Sequence, residues 1–344
     1  MSSDSEFAFE LRVCQWAERE WSPAQADSDL LVARQLGTKY RRWDTIVFEC
    51  DPEALRRRGA FGPRAFDSDQ LHVLRHAPAE WTFYREALPD PGYPWRYVRE
   101  SIHALADRGA VETCKRGNRI EIRRVRPYPE WVRRVVAIEN KPDLTASAAR
   151  DLADQLERDV ALGLADEVWV ATEATGERVE PILLADFPAE VGVLTVDGEG
   201  TAAETVWEPR VLPVEAPGTR ILERPDDDHS AARFEYADPE WTAAKRRAIA
   251  ERAYERGWRS YAETMRPDCR HFELRADADG FTPYCGAKER TPTQSECRGA
   301  CSAFEPEPPA WRSKDWPIEG GPGAATKRLL DRQRRAERPG LDES

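Results

Sequence analysis

Lysine is scarce in this chain. Of its 51 basic residues only Lys39, Lys115, Lys141, Lys245, Lys288, Lys314 and Lys327 are lysines, and the other 44 are arginines. Long apolar runs are missing as well. No uncharged stretch approaches the roughly 20 residues a helix needs to cross a bilayer, which sets a membrane span aside. The start, MSSDSEFAFELRV, has neither the basic segment nor the apolar stretch of a secretory leader. These absences lead to the expectation of a soluble cytoplasmic protein with no membrane partner. There is no internal repeat, so a solenoid is not expected. TVDGEG at 195–200 reads as a turn rather than a phosphate-binding loop.

Acidic residues number 63 against 51 basic ones, a formal net charge of −12. An acidic, arginine-over-lysine balance resembles the proteins of salt-loving archaea. At high salt the counterion contribution to nucleic-acid binding is already weakened, so net negative charge does not exclude that partner; affinity must come from local contacts. Each of the few lysines is then worth inspecting.

A length of 344 residues allows two or three domains. The first helix expected starts at Glu6, with Ser5 as a cap and Phe9, Val13, Trp16 and Ala17 on one face. Strands follow at 34–40 and 44–50. The stretch 51–67, rich in Arg, Gly and Pro, reads as a break. Helices are then expected at 67–76, 81–88 and 94–108, with a hairpin over 110–126 that turns at Arg116-Gly117-Asn118. Next come a strand at 132–140, a helix at 145–164, strands at 167–172 and 191–196 with a helix near 177–187 between them, and a further strand at 205–211.

The strand at 132–140 ends oddly. Its apolar run Val135-Val136-Ala137-Ile138 leads straight into Glu139-Asn140-Lys141 and then Pro142. Residues two apart on a strand share a face, so Glu139 and Lys141 are expected together. Asp44 opens a neighbouring strand. An Asp and a Glu from adjacent strands make an oxygen-rich site suited to Mg²⁺ or Mn²⁺, and a nearby lysine can orient a water for phosphodiester hydrolysis.

Asp44, a gap, and then Glu139-Asn140-Lys141 after an apolar strand resemble the PD-(D/E)xK nuclease superfamily, whose restriction-endonuclease-like core has the order αβββαβ. The resemblance covers roughly 5–50 and 130–200. It implies Asp44 and Glu139 as metal ligands and Lys141 as the residue that positions the attacking water. It also implies a glutamate from the first helix, Glu10 (or Glu6), and Gln155 in the helix after the motif, as in the RecB-type branch. Trp43 stands where a proline often precedes the aspartate, and Asp159 where a tyrosine often follows the glutamine.

The gap between Asp44 and Glu139 needs an inserted domain. Three short helices and a hairpin over 67–126 are the order of a winged helix-turn-helix. Its core would be Leu71, Val73, Leu74, Ile102, Leu105 and Val111. Contacts to nucleic acid, DNA ahead of RNA, would come from Arg96, Tyr97 and Arg99 on the third helix and from Lys115, Arg116 and Arg119 on the wing.

Near the C-terminal end, Cys269, Cys285, Cys297 and Cys301 fall within one Gly- and Pro-punctuated stretch. Four thiolates suffice for a closed Zn²⁺ site, although no standard finger spacing fits, and they could hold an iron–sulfur cluster instead. Some RecB-type nucleases bind such a cluster with one cysteine from the N-terminal side, where Cys14 lies. Four local cysteines make that loan unnecessary, and zinc is preferred.

The fold class expected is therefore α/β. A restriction-endonuclease-like αβββαβ core occupies 5–50 and 130–211, with a winged helix-turn-helix inserted at 67–126. A linker covers 212–240, a helix plus a small Cys-rich metal module 241–305, and a flexible tail 306–344. The function expected is metal-dependent hydrolysis of phosphodiester bonds in nucleic acid. The alternative is a catalytically inactive nucleic-acid-binding or regulatory protein.

Overall fold

Two nine-residue stretches, Arg42–Cys50 (β2, RWDTIVFEC) and Val132–Asn140 (β6, VRRVVAIEN), end in unbroken buried runs. Such β-branched and aromatic runs suit strands covered on both faces. The computed structural model describes residues 3–21, 28–62, 64–174, 186–198, 202–223, 232–256, 269–277, 280–290 and 301–305. In it, β2 and β6 sit inside a six-stranded mixed sheet. Asp29–Gly37 (β1) pairs antiparallel with β2, and β2 antiparallel with β6. Glu167–Glu173 (β7) and Val191–Val196 (β8) follow in parallel. Ala203–Trp207 (β9) closes the edge antiparallel to β8.

The parallel step from β6 to β7 needs a crossover, supplied by helix Ala146–Leu162 (α6). The Thr145 hydroxyl caps its start, and Gly163, at φ +60°, takes the left-handed conformation that ends it. Helix Ser3–Glu20 (α1) buries Phe9, Val13, Trp16 and Ala17 on one sheet face with Val47, Val136 and Ile138. On the other face, Leu152 and Leu156 of α6 and Ile249 and Ala253 of helix Pro239–Arg256 (α7) share a core with Ile46, Phe48, Val135 and Ala137. The chain is thus mixed α/β. No helix among the described residues is long and apolar enough to cross a membrane.

Between β2 and β6 lie helix Pro52–Gly59 (α2) and then a unit with its own core. That unit runs helix Ser68–His76 (α3), strand Thr82–Phe83 (β3), helix Tyr84–Ala87 (α4), helix Trp95–Asp107 (α5), and strands Val111–Arg116 (β4) and Arg119–Arg124 (β5). Its sheet order is β3-β5-β4, and Leu71, Val73, Leu74, Ile102, Leu105 and Val111 are all buried in its core. The Glu251 carboxylate of α7 ties the unit to the rest: it accepts Arg58 of α2 on both oxygens at 2.6 Å and the N–H of Phe66, a residue of the unit's core, at 3.0 Å.

Several elements differ from expectation. The first strand ends at Gly37 rather than Tyr40, because residues 38–41 close a tight turn in which Thr38 N–H donates to the Arg41 carbonyl at 2.6 Å. A Cβ at position 37 would overlap that carbonyl oxygen, so the turn requires glycine. The break read at 51–67 contains α2, started by the Asp51 carboxylate capping Ala54 N–H and by Pro52 in the first turn. The second helix of the insert is only α4, preceded by β3, because Thr82 and Phe83 pair with Ile122 and Glu121. The linker at 212–240 carries a β-ribbon, Gly218–Glu223 (β10) paired with Arg233–Ala237 (β11). Helix α7, expected with the cysteine module, buries its apolar side in the main core instead. Helix α1 begins at Ser3, so Ser5 lies inside it. The helix near 177–187 lies mostly outside the described residues.

Candidate functional site

The register of β2 against β6, Thr45↔Ile138 and Ile46↔Ala137, carried one step further puts Asp44 opposite Glu139. Facing residues on paired strands have Cβ atoms about 5 Å apart. The two carboxylates therefore meet where β6 ends, and Asp44 Oδ2 accepts the Asn140 N–H at 3.0 Å. Asp44 is half-buried, and its pKa is pushed up to about 6, first by burial and then by the Glu139 charge. Asn140 points to the opposite face, where its amide donates to Thr45 Oγ1 at 3.0 Å.

Glu10 of α1 joins Asp44 through a residue the sequence does not single out. The Gln35 amide nitrogen donates to Glu10 Oε1 at 2.8 Å and to Asp44 Oδ1 at 2.9 Å. Gln35 adopts φ +51°, a left-handed conformation inside a strand, and it lies on β1 opposite Asp44 of β2. Such a conformation costs a non-glycine residue about 1 kcal/mol or more and persists where the surroundings dictate it. Arg34 Nη2 adds a bond to Glu10 Oε2 at 3.0 Å. Burial still raises the Glu10 pKa, although Arg34 and Gln35 pull the other way.

A second unexpected residue holds Glu139. Arg41 donates through Nε and Nη2 to the two oxygens of Asp159, each at 2.6 Å, and through Nη2 to Glu139 Oε2 at 2.9 Å. Asp159 is fully buried on α6. Burial opposes the Arg41 charge, but Asp159 and then Glu139 overcome it and keep the guanidinium protonated. The residue that departs from the tyrosine of the family pattern is thus the counter-charge of the arginine that orients Glu139. Little in the sequence signals Arg41 beyond Gly37 and Thr38, which build the turn before it.

The remaining expected site residues are placed as follows. Lys141 follows the end of β6 and its ammonium pairs with Glu6 of α1 at 3.4 Å rather than with Glu139, so the shared face expected of Glu139 and Lys141 ends with the strand. Gln155 lies on α6, and its amide nitrogen is buried without a hydrogen-bond partner among the described residues. At the start of α5, Arg96 lies over the Tyr97 ring at 4.5 Å, Tyr97 is 39% exposed, and Arg99 is exposed. On the hairpin β4–β5, Arg116 pairs with Glu121 at 3.2 Å and Arg119 with Glu86 at 3.3 Å. Lys115 is exposed and has no ion-pair partner among the described residues.

Cys269, Cys285 and Cys301 fall in one small unit built on strands Phe272–Asp277 (β12) and Gly280–Cys285 (β13). Phe272 pairs with Cys285 and its N–H donates to the Cys269 carbonyl at 3.0 Å, while Arg270 N–H reaches the Glu305 carbonyl beyond Cys301 at 2.8 Å. Cys297 lies outside the described residues. Cys14 is buried against Thr45 in the main core, 3.3 Å from its hydroxyl. Among the described residues no three or more His, Cys, Asp and Glu side chains form a group able to hold a metal ion.

Residues 31–306 match a protein family described as of unknown function, DUF5787. No curated protein and no solved structure matches the chain.

Proposed function

The chain belongs to the DUF5787 family, and from that premise we propose that it is a metal-dependent nuclease with a restriction-endonuclease-like core. The observation that carries this reading is the convergence of Glu10 from α1, Asp44 from β2 and Glu139 from β6 at one sheet end. The main sheet and its helices, taken without the insert, run α1-β1-β2-β6-α6-β7, which agrees with the αβββαβ order of the PD-(D/E)xK pattern.

The donor set fits a hard divalent cation. Asp44 and Glu139 are oxygen donors, and burial with the Glu139 charge beside it raises the cost of ionising Asp44, which a cation between them would relieve. Mg²⁺ commonly takes one or two carboxylates and completes its shell with water, so two suffice. Such a metal would supply an acidified water and a counter-charge for the phosphate. Arg41 fixes the Glu139 carboxylate in place, and Gln35 and the Asn140 N–H fix Asp44. Lys141, at the open rim, can leave Glu6 for a phosphate oxygen or orient the attacking water. The unpartnered amide of Gln155 offers a donor to the same water or to nucleic acid.

The insert's order, helix–strand–helix–helix–strand–strand, supports reading it as a winged helix, with α5 and the β4–β5 hairpin as its nucleic-acid face. Three cysteines in one hairpin unit, with Cys297 a few residues from Cys301 in sequence, support a structural Zn²⁺ site there in preference to an iron–sulfur cluster. A second reading, a silent nucleic-acid-binding protein, is favoured by one observation: Glu139 already has Arg41 as its cation.

Incubating the purified chain with single-stranded, duplex and branched DNA at high salt, with Mg²⁺ or Mn²⁺, separates the two. Cleavage that Lys141→Ala reduces at least a hundredfold, with the melting temperature unchanged, supports the nuclease. Equal cleavage by both proteins, or none by either, leaves the silent reading.

A further inference from the structure

A cleft of about 820 Å³ lies between the inserted unit and the main body. One wall is the turn Gly37-Thr38-Lys39. The others are the segment 64–70 with the end of α5, and the outer side of α7. Five cations line it, Lys39, Arg64, Arg108, Lys245 and Arg252, against three acids, Asp67, Asp107 and Glu255. That surplus stands out in a chain of net charge −12, and two of its seven lysines are here. Of the acids, Asp67 is engaged as the N-cap of α3, accepting Gln70 N–H at 2.8 Å, and Glu255 bears on Arg108.

The cations divide into two kinds. Arg108 and Arg252 brace the walls. Arg108 donates to the carbonyls of Ala65 and Arg64 and lies over Phe66 at 3.8 Å, and Arg252 donates to the Gly37 carbonyl. Lys39, Arg64 and Lys245 have no carboxylate partner among the described residues. Elsewhere arginines such as Arg57, Arg75, Arg133 and Arg233 do have one. Three basic residues from three different segments, all lining one cleft, make a site for a polyanion.

We propose that this cleft is a subsite for single-stranded nucleic acid leading to the carboxylates. Its volume falls in the range that holds a small ligand, enough for a short unpaired stretch and too small for a double helix. Its Gly37–Lys39 wall belongs to the turn that sets Arg41, so a strand lying there approaches Glu139. It is also distinct from the expected duplex face. The cleft takes Ala104, Asp107 and Arg108 at the end of α5, whereas Arg96, Tyr97 and Arg99 lie at its start. The middles of the two sets lie about 14 Å apart along the helix axis. The inference takes its ligand class from the nuclease reading, but its test involves neither metal nor cleavage.

The test is fluorescence anisotropy of the full chain, in EDTA, with a labelled twelve-nucleotide oligothymidylate and with a duplex of the same length. The double variant Lys39→Glu/Lys245→Glu is expected to weaken binding of the unpaired strand at least tenfold while sparing the duplex. Its salt dependence is expected to become shallower by roughly 0.7 for each phosphate that is no longer neutralised. Arg96→Glu/Arg99→Glu is expected to do the reverse. Lys39→Gln/Lys245→Gln, which leaves no repelling charge, is expected to give a smaller loss in the same direction with an unchanged melting temperature. Wild-type affinity of the cleft variants for the unpaired strand overturns the proposal, as does an equal loss for strand and duplex, or no binding of either by the wild type. None of these outcomes bears on whether Lys141→Ala alters cleavage.

Discussion

Arg58 and Arg41 are both buried and each is gripped by a carboxylate, yet the two arrangements end differently. Glu251 accepts two bonds from Arg58, a third from the Tyr128 hydroxyl at 2.6 Å and a fourth from Phe66 N–H at 3.0 Å. Arg58 spends two other donors on the carbonyls of Gly62 and Arg64, at 2.9 Å each, and sits among the Phe66 and Tyr254 rings. Each Glu251 oxygen thus accepts two bonds, and four of the five Arg58 N–H groups are used. Around Arg41, Asp159 accepts two bonds, both from the guanidinium, while Glu139 accepts one through Oε2 and its Oε1 has no hydrogen-bond partner among the described residues. A buried ion pair that is closed on itself fixes structure; one left open on a single oxygen can both hold a side chain and present it. The difference is what marks one pair as the junction of the insert and the other as part of a site.

Breaking the closed pair should have the largest effect. Glu251→Ala strands a fully buried guanidinium, which costs about 3–5 kcal/mol. In a thermal melt that corresponds to a fall on the order of 10 °C. A loss under about 1 kcal/mol would mean that water reaches Arg58 and that the pair is not closed. Cleavage is not the readout here, since the junction lies away from the carboxylates.

The open site should respond to pH in the opposite sense from an ordinary carboxylate. Asp44 has a pKa of about 6 in the folded chain, where burial and Glu139 disfavour its charge. In the unfolded chain an aspartate titrates near 3.9. The folded state therefore binds the proton more tightly. Ionised Asp44 costs stability in full above pH 6, and the cost fades as pH falls from 6 to about 4. Asp44→Asn should accordingly stabilise the metal-free protein at pH 8, by at most about 3 kcal/mol, with the gain gone by pH 4. Denaturant titrations of both proteins at the two pH values measure it. A gain that persists at pH 4 would trace to packing rather than charge.

Loosening Arg41 should have a smaller, more local effect. Asp159→Asn keeps the shape but removes the charge that draws the guanidinium away from Glu139. Arg41 then competes harder for Glu139, and Mn²⁺ affinity in calorimetry should fall about tenfold, or roughly 1.4 kcal/mol. Asp159 is buried behind Arg41 and is itself no metal donor, so unchanged affinity would reduce the Arg41–Asp159 pair to structure alone, like Arg58.

Much of this contrast was legible in the chain itself, and the part that was not has a physical reason. Asp44 and Glu139 stand at places that strand alternation assigns, and Glu10 at one that only the family resemblance implied. The insert's core, Leu71 to Val111, follows from helical spacing and the Gly117-Asn118 turn. Gln35 escapes because its role depends on φ +51°, which breaks the alternation that would place it. Arg41 escapes because a turn, not a periodic element, aims it. Helix α2 was hidden in a stretch whose Arg, Gly and Pro content reads as loop, although Asp51 and Pro52 are the signals of a helix start. Asp159 showed only as a departure, and its meaning needed Arg41 beside it.

The exposed pairs of the β4–β5 hairpin complete the scale at its lower end. Arg123 bonds Glu112 across the two strands, with both side chains about two-fifths exposed or more. Water and salt screen such a pair, so Arg123→Ala should change stability by less than about 0.5 kcal/mol. The same pairing bears on nucleic acid. On the nucleic-acid reading proposed above, Arg116, Arg119 and Arg123 would each approach a phosphate while already paired with a glutamate, which would have to be displaced first. Lys115 on the same hairpin has no such partner among the described residues. Lys115→Ala should therefore weaken duplex binding about threefold in anisotropy, more than Arg123→Ala does. The reverse order would mean that the hairpin's arginines give up their glutamates on binding, and that its charge is larger in the complex than in the free chain.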